Sequence, residues 1–158
     1  MAGMRKKMAR TKVQSAIQLS CFCANLRRAA RVVTQIYDEA LRPSGLRTPQ
    51  FTLLQALNMA PPGISQKTLA RVLEFDSTTL TRTLEPVRRK GWVRAEAGED
   101  RRELRLFLTE DGLEEYKRVL PYWQSAQRRL KNELGELAWS EIQSASMRVA
   151  DFAASKEV

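Results

Sequence analysis

The segment that decides the fold is VRAEAGEDRRELRLFL, residues 93–108. Every second residue of its first five and last five is apolar, which is the pattern of β-strands with one buried face. The five residues that follow the first run, Gly98–Arg102, are polar and begin with glycine, as turns often do. The segment therefore predicts a two-stranded β-hairpin. Because an isolated hairpin is only marginally stable in water, it must pack against neighbouring helices.

Two short helices joined by a tight turn precede this hairpin. The first follows Ser65, and the second is capped by Asp76 or Ser77 and runs to Lys90, where Gly91 can adopt the left-handed conformation that ends a helix. Two short helices and a hairpin describe a winged helix-turn-helix, whose second helix enters the DNA major groove. The buried stripe of that helix is predicted to hold Leu80, Leu84 and Val87.

Longer helices flank this unit. Residues 13–41 predict one helix of about 29 residues, whereas helices of globular proteins average about 11 or 12. Its narrow apolar seam favours contact with other long helices, including those of a partner chain. The seam consists of Leu19, Phe22, Leu26, Ala29, Val33, Ile36 and Ala40.

The remaining helices are predicted from their start signals. Thr48 is expected to cap a helix that has Pro49 at its first position, and Thr109 to cap a helix that Pro121 should kink. The capping-box pattern Ser140–Gln143 predicts the start of the last helix. The predicted fold class is therefore mainly α with a small β-hairpin.

Composition excludes several chemistries. The chain has 158 residues, no histidine, two cysteines and a net charge of +9. Without imidazole there is no Ser-His-Asp or Cys-His set, and two cysteines one residue apart cannot build a tetrahedral metal site. We therefore expect no catalytic residue, no metal site, no cofactor and no enzymatic activity. No stretch approaches the roughly 18 apolar residues of a membrane span, so a soluble cytoplasmic protein is expected.

The positive charge favours an anionic partner, either nucleic acid or a membrane surface. It is concentrated in residues 1–12, which predict a disordered arm with non-specific attraction for phosphate. That arm has no acidic residue, and its basic residues are Arg5, Lys6, Lys7, Arg10 and Lys12.

Four stretches resemble the MarR family of bacterial transcriptional regulators, within a similarity that runs from about Cys21 to Arg129. They are GLRTPQF at 45–51, STTLTR at 77–82, RKGWV at 89–93 and DRRELRLFLTEDG at 100–112. The last is the most specific, because it matches the D-x-R wing of the family and its L-T-x-x-G exit. The resemblance implies a homodimer whose winged domains each read half of a pseudo-palindrome. It also implies that Arg102 enters the minor groove and that Asp100 supports it.

The two short helices and the basic hairpin that follows them favour DNA contacts over ordinary capping roles for the residues around the second short helix. Small hydroxyl groups can approach phosphates and base edges, and arginine can bind guanine through two hydrogen bonds. Basic residues at the end of that helix either contact the DNA backbone or only favour the helix C-terminus. The candidate DNA contacts are Gln66, Lys67, Ser77, Thr78, Thr79, Thr81, Arg82, Arg88, Arg89, Lys90, Asp100, Arg101 and Arg102.

Members of the family commonly release DNA on binding a small aromatic or anionic molecule, or on thiol oxidation. Cys23 resembles the reactive cysteine of the hydroperoxide-sensing branch, although Arg27 stands where that branch has tyrosine. If Cys21 and Cys23 share a helix, they point about 200° apart, and two packed thiols are the alternative. The candidate effector or redox residues are Cys21, Cys23, Phe22, Arg27, Tyr37 and Trp123, of which the aromatic ones are also consistent with a core.

The sequence thus predicts a DNA-binding repressor that a small-molecule ligand releases from its operator. A thiol-based oxidant sensor that uses Cys23 is the alternative, and a non-specific architectural DNA-binding protein is the third class. The predicted organisation is a basic arm at 1–12, a dimerisation helix within 13–47, a winged helix-turn-helix at 48–109 and C-terminal dimerisation helices at 110–158.

Overall fold

The computed structural model describes residues 20–100 and 103–154, which are mainly helical with a small antiparallel sheet. The predicted fold class is confirmed. The predicted basic arm, residues 13–19 of the first helix, Arg101 and Arg102 lie outside the described residues. The elements are α1 (Phe22–Leu41), a 3-10 turn (Arg42–Ser44), α2 (Thr48–Met59), β1 (Ile64–Ser65), α3 (Gln66–Val72), α4 (Ser77–Arg89), β2 (Val93–Ala97), β3 (Leu104–Leu108), α5 (Glu110–Leu134) and α6 (Glu136–Ala154).

The chain divides into two units, whose described residues are 20–35 in the first and 36–100 with 103–154 in the second, and α1 contributes residues to both. Within the first unit, α1 begins at Phe22, so the prediction that Ser20 and Cys21 are helical is wrong. The carbonyl of Cys21 instead accepts the first helical hydrogen bond, from the Asn25 amide at 3.1 Å. Apolar spacing defines the face of a helix but not its end. The seam residues Phe22 and Leu26 are 68% and 43% exposed.

The second unit is organised around Phe51 of α2, which is 1% exposed. Its ring stacks on Tyr116 and Trp123 of α5 at centroid distances of 5.5 and 5.8 Å. Burial of such a side chain contributes about 1.5–3 kcal/mol, and each aromatic pair adds about 0.5–1.5 kcal/mol. One core therefore joins α2, α3, α4, the hairpin and α5. Its other members include Leu41, Leu46, Leu53, Leu54, Leu69, Leu80, Leu84, Val87, Val93, Leu106 and Val119.

The predicted hairpin is confirmed, and a third strand extends it. The strand order is β1-β3-β2, with Val93 opposite Leu108 and Ala97 opposite Leu104. Leu106 is buried, whereas Leu104 is 40% exposed, so the apolar face ends before the turn. Sequence reasoning missed β1 because two residues are too short to show a period.

The turn between α3 and α4 depends on a strained residue. Ser65 caps α3 by accepting a hydrogen bond from the Thr68 amide at 3.0 Å. At the other end, Glu74 has φ +51°, a left-handed conformation that disfavours non-glycine residues. The Phe75 amide donates to the Ala70 carbonyl at 2.9 Å, which satisfies the end of α3 and reverses the chain toward α4.

The start of α2 differs from its prediction. Arg47 is the N-cap residue, and its amide donates to Oε1 of Gln50 at 2.9 Å, so Thr48 is the first helical residue. The amide and the hydroxyl of Thr48 both donate to Oδ1 of Asp38 at 2.8 Å, while Arg47 lies 3.4 Å from Oδ2. Burial raises the pKa of Asp38, but these bonds and the Arg47 charge outweigh it and hold the pKa below its ordinary value. A carboxylate of α1 therefore anchors α2.

The start of the last helix was also predicted wrongly. Gly135, with φ +78°, ends α5, and α6 begins at Glu136. Because one glycine suffices to separate the helices, the capping-box pattern at Ser140 lies inside α6. The helix α5 continues past Pro121, and the kink at this proline stays a prediction.

The first turn of α5 docks on the chain between α4 and β2. Thr109 caps α5 by accepting from the Gly112 amide at 3.0 Å, as predicted. The hydroxyl of Thr109 donates to the Gly91 carbonyl at 2.8 Å, and its amide donates to the Trp92 carbonyl at 3.0 Å. A Cβ on Gly112 would lie 2.1 Å from the Trp92 oxygen. Only glycine permits this approach, which accounts for the L-T-x-x-G motif.

Gly112→Ala should lower the free energy of unfolding by about 3 kcal/mol, because α5 must move away from Trp92. The loss exceeds the gain of about 1 kcal/mol that alanine gives a helix in open space. Ser125→Ala, at an exposed position of the same helix, is the matched control in urea denaturation. If both variants had the stability of the parent, the close approach would be wrong.

Asp38→Asn should lower the free energy of unfolding at pH 7 by about 1 kcal/mol, because the charged acceptor is lost. The pKa of Asp38 is lower in the folded state than in the unfolded state, so the unfolded state binds the proton more tightly. The contribution of Asp38 to the free energy of unfolding is therefore lost as the pH falls below about 4. The difference between parent and variant should therefore shrink between about pH 5 and about pH 2 in denaturation series. A difference that does not depend on pH would contradict this role.

Candidate nucleic-acid interface

The N-terminus of α4 is held by Asp76, which decides between the two predicted caps. Its Oδ1 accepts from the Thr79 amide at 2.7 Å, and its Oδ2 accepts from the Thr79 hydroxyl at 2.9 Å. These hydrogen bonds hold the pKa of Asp76 below its ordinary value, against a smaller effect of desolvation. The carboxylate is therefore ionised and fixes the start of α4.

The solvent face of α4 carries the predicted small polar residues. The Thr81 hydroxyl donates to the Ser77 carbonyl at 2.8 Å, so it offers lone pairs rather than its proton to a ligand. The side chains of Ser77, Thr78 and Arg82 are exposed and make no hydrogen bond with other described residues. The predicted buried stripe is confirmed, with Leu80, Leu84 and Val87 4% exposed or less.

The basic residues at the end of α4 are exposed, and two of them have partners within the chain. Arg89 lies 3.8 Å from Glu85, one helical turn away. The Lys90 ammonium lies 4.4 Å from the centroid of the Trp92 ring, in a cation–π contact. Arg88 is exposed. Contact of these three side chains with the DNA backbone stays a prediction.

A groove of 740 Å³ lies between the helix-turn-helix and the hairpin. It brings together four predicted contact residues from three elements: Gln66 and Lys67 at the start of α3, Ser77 at the start of α4, and Asp100 in the turn of the hairpin. Sequence reasoning missed its other lining residues, because nothing in the primary structure shows which helix the strand faces. These are Ala70, Leu80, Glu103 and Leu104.

The turn of the hairpin is closed by backbone hydrogen bonds. The Gly98 amide donates to the Glu103 carbonyl at 2.7 Å, and the Glu103 amide donates to the Asp100 carbonyl at 2.8 Å. These bonds hold the two strand ends together. Asp100 is exposed, and the contacts predicted for Arg101 and Arg102 lie outside the described residues.

The outer face of the hairpin carries a charged cluster that sequence reasoning did not single out. The Arg94 guanidinium lies over the Phe107 ring at 3.9 Å and pairs with Glu96. On the next strand, Arg105 pairs with Glu103 at 3.0 Å. An alternation of arginine and glutamate on this face of the strands was the signal available in the sequence.

The candidate effector residues fall into both units. Tyr37 is 9% exposed and packs with Ala126, Leu130 and the partly buried Trp123, and burial raises the pKa of its hydroxyl. These two aromatic side chains thus take part in a core. Phe22 and Arg27 belong to the first unit and are exposed. The effector site stays a prediction.

The two thiols are exposed, so the alternative of two packed cysteines is not what the single chain shows. Cys21 precedes α1 and Cys23 lies in its first turn. The premise that both cysteines lie on one helix is therefore wrong, and the directions of their two side chains stay a prediction. Oxidation of these thiols stays a prediction.

The helix-turn-helix, the hairpin and the polar face of α4 define a winged helix-turn-helix DNA-binding protein. A family model described as the MarR family matches residues 44–103. The chain is 31% identical over 94 residues to the uncharacterised HTH-type transcriptional regulator YwoH of Bacillus subtilis strain 168. This similarity covers 60% of this chain and 68% of YwoH. The chain belongs to the MarR family of transcriptional regulators.

Solved structures agree with this assignment. The chain is 34% identical to the Mycobacterium tuberculosis transcriptional regulator MosR in its complex with DNA, and the similarity covers 88% of this chain and 100% of that one with a TM-score of 0.76. CouR of Rhodococcus jostii RHA1 bound to p-coumaroyl-CoA has the same fold, at 18% identity over 83% of this chain and 92% of that one and a TM-score of 0.71. None of the described helices is long and apolar enough to cross a membrane.

Proposed function

We propose that this transcriptional regulator is a repressor that binds a pseudo-palindromic operator as a homodimer and releases it when a small molecule binds. The observation that carries the proposal is the arrangement of α4, which packs its buried stripe into the core and presents Ser77, Thr78 and Arg82 to solvent beside the groove. The DNA complex of MosR, at 34% identity, supports DNA as the ligand of this face.

The contacts divide by chemistry. Arg82, in the second turn of α4, suits a base edge, since its guanidinium is unpaired within the described chain and can bind guanine through two hydrogen bonds. Gln66 and Lys67 at the start of α3 suit phosphate, which positions the protein without reading sequence. For Arg102, which lies outside the described residues, the resemblance of its motif to the D-x-R wing of the family implies a contact in the minor groove.

A second copy of the chain is the proposed partner of the terminal helices. In α6, Leu137, Met147 and Phe152 are 74%, 65% and 62% exposed, and in α1 the seam residue Phe22 is 68% exposed. Apolar side chains at this density cost free energy in water, whereas a symmetric interface of helices would bury them. Two winged domains would then face two half-sites.

Selection of binding sites from random DNA by the full chain tests the proposal. The expected product is a pair of inverted half-sites whose centres lie about one helical turn, roughly 10–10.5 base pairs, apart or a multiple of it. Selection without a preferred sequence would instead support a non-specific architectural protein. A single unpaired half-site would contradict the homodimer.

Arg82→Ala should relax base preference at one position of each half-site and weaken binding to the selected operator by about tenfold or more, since a bidentate pair discriminates by about 1–3 kcal/mol. Binding to DNA of unrelated sequence should change much less. Arg128→Ala, which removes an exposed arginine from α5, is the matched control for charge. Equal losses in the two variants would show that Arg82 only attracts phosphate.

The release step has two candidate triggers. The CouR structure shows p-coumaroyl-CoA bound to a protein of this fold, which supports a small-molecule effector. The exposure of both thiols favours oxidation as the second candidate. If oxidation is the trigger, mild peroxide should release the operator from the parent and not from Cys23→Ser, and mass spectrometry should show a modified thiol. The same response in both proteins would exclude a role of Cys23.

A further inference from the structure

Arg105 joins the hairpin to a distant turn of the chain. It lies on the central strand β3, opposite Glu96 of β2 and Ser65 of β1. Its Nη2 donates to Oε2 of Glu103 at 3.0 Å, and its Nη1 donates to the Gly63 carbonyl at 3.2 Å. Gly63 is 42 residues earlier in the chain, so this one guanidinium connects two segments that are remote in sequence.

The acceptor at Gly63 is itself closely packed. Gly63 is buried and has φ +77°, which glycine adopts without strain. A Cβ at this position would lie 3.0 Å from ring atoms of Phe107. The turn therefore rests on the outer face of β3, and its carbonyl has a fixed position for the guanidinium.

Gly63 stands directly before β1 and the helix α3, which borders the groove. The strand β1 comes next and leads without a break into α3, where Gln66 and Lys67 line the groove. Two residue pairs join β1 to β3, Ile64 with Leu106 and Ser65 with Arg105. Such a short ladder is weak, and the Arg105 side chain adds a connection beside it.

We propose that Arg105 is a positioning residue for DNA recognition, because it holds the hairpin at a fixed place relative to the helix-turn-helix. The inference rests on the proposed function, since both elements must then meet one DNA duplex. The guanidinium does so through Gly63 and Glu103, and not through contact with phosphate. Loss of this link loosens the hairpin and lowers affinity for the operator.

Arg105→Gln and Arg94→Gln form a matched pair for the test. Each removes one positive charge from the outer face of the hairpin, but the contacts of Arg94 within the described chain are with Glu96 and Phe107 of the hairpin itself. Arg105→Lys is the second variant, because an ammonium keeps the charge without the planar fork that serves two acceptors. Thermal unfolding of all three proteins establishes that they fold.

Amide hydrogen exchange in the free protein gives the first readout. In Arg105→Gln the amides of Ile64 and Ser65 should exchange about fivefold faster than in Arg94→Gln, as expected for loss of a hydrogen bond worth about 1 kcal/mol. Unchanged exchange would overturn the proposal. This readout needs no DNA, so it stands even if site selection finds no operator and the proposed function fails.

Affinity for the selected operator as a function of salt gives the second readout. Arg105→Gln should bind the operator about tenfold more weakly than Arg94→Gln. The slope of log affinity against log salt concentration should be the same in the two variants. The affinity of Arg105→Lys should lie between those of Arg105→Gln and the parent. A slope lower by about one in Arg105→Gln alone would identify a direct phosphate contact and overturn the positioning role. Equal affinities of Arg105→Gln and Arg94→Gln would overturn it as well.

Discussion

The close approach between the first turn of α5 and the Gly91–Trp92 backbone is the contact on which the rest of the winged domain depends. The hydroxyl of Thr109 donates to the Gly91 carbonyl, and its amide donates to the Trp92 carbonyl. Gly112 has no side chain, so the Trp92 carbonyl can approach α5 closely. Because Gly91 ends α4 and Trp92 precedes β2, one contact sets the end of α4, the start of the hairpin and the direction of α5. A side chain at residue 112 would disturb all three.

The winged domain keeps its apolar contacts in one core and its polar groups on the faces turned away from that core. The core around Phe51 fixes α4 through Leu80, Leu84 and Val87, and this burial forces the hydroxyl groups and Arg82 outward. The hairpin is held differently. Its apolar face ends before the turn, and on its outer face Arg105 donates to the Gly63 carbonyl, outside the hairpin.

Local patterns in the sequence were sufficient for most elements. The period of two predicted β2 and β3. Ser65 and Thr109 cap the N-termini of α3 and α5, and Gly91 has the positive φ expected of a residue that ends a helix. Failures came where a local signal had a competing partner. Thr48 resembles a cap, but its hydroxyl bonds Asp38 from another helix. The pattern at Ser140 has the right spacing, but the helix had already begun directly after Gly135.

The sequence by itself determined the winged helix-turn-helix, the residue types on the exposed face of α4 and the family, because amphipathic period, capping and motif spacing are properties of neighbouring residues. The tertiary structure alone decided which residues from α3, α4 and the hairpin share a groove, and that Arg105 reaches Gly63. Contacts between segments 42 residues apart depend on how elements pack, and no local pattern encodes that packing.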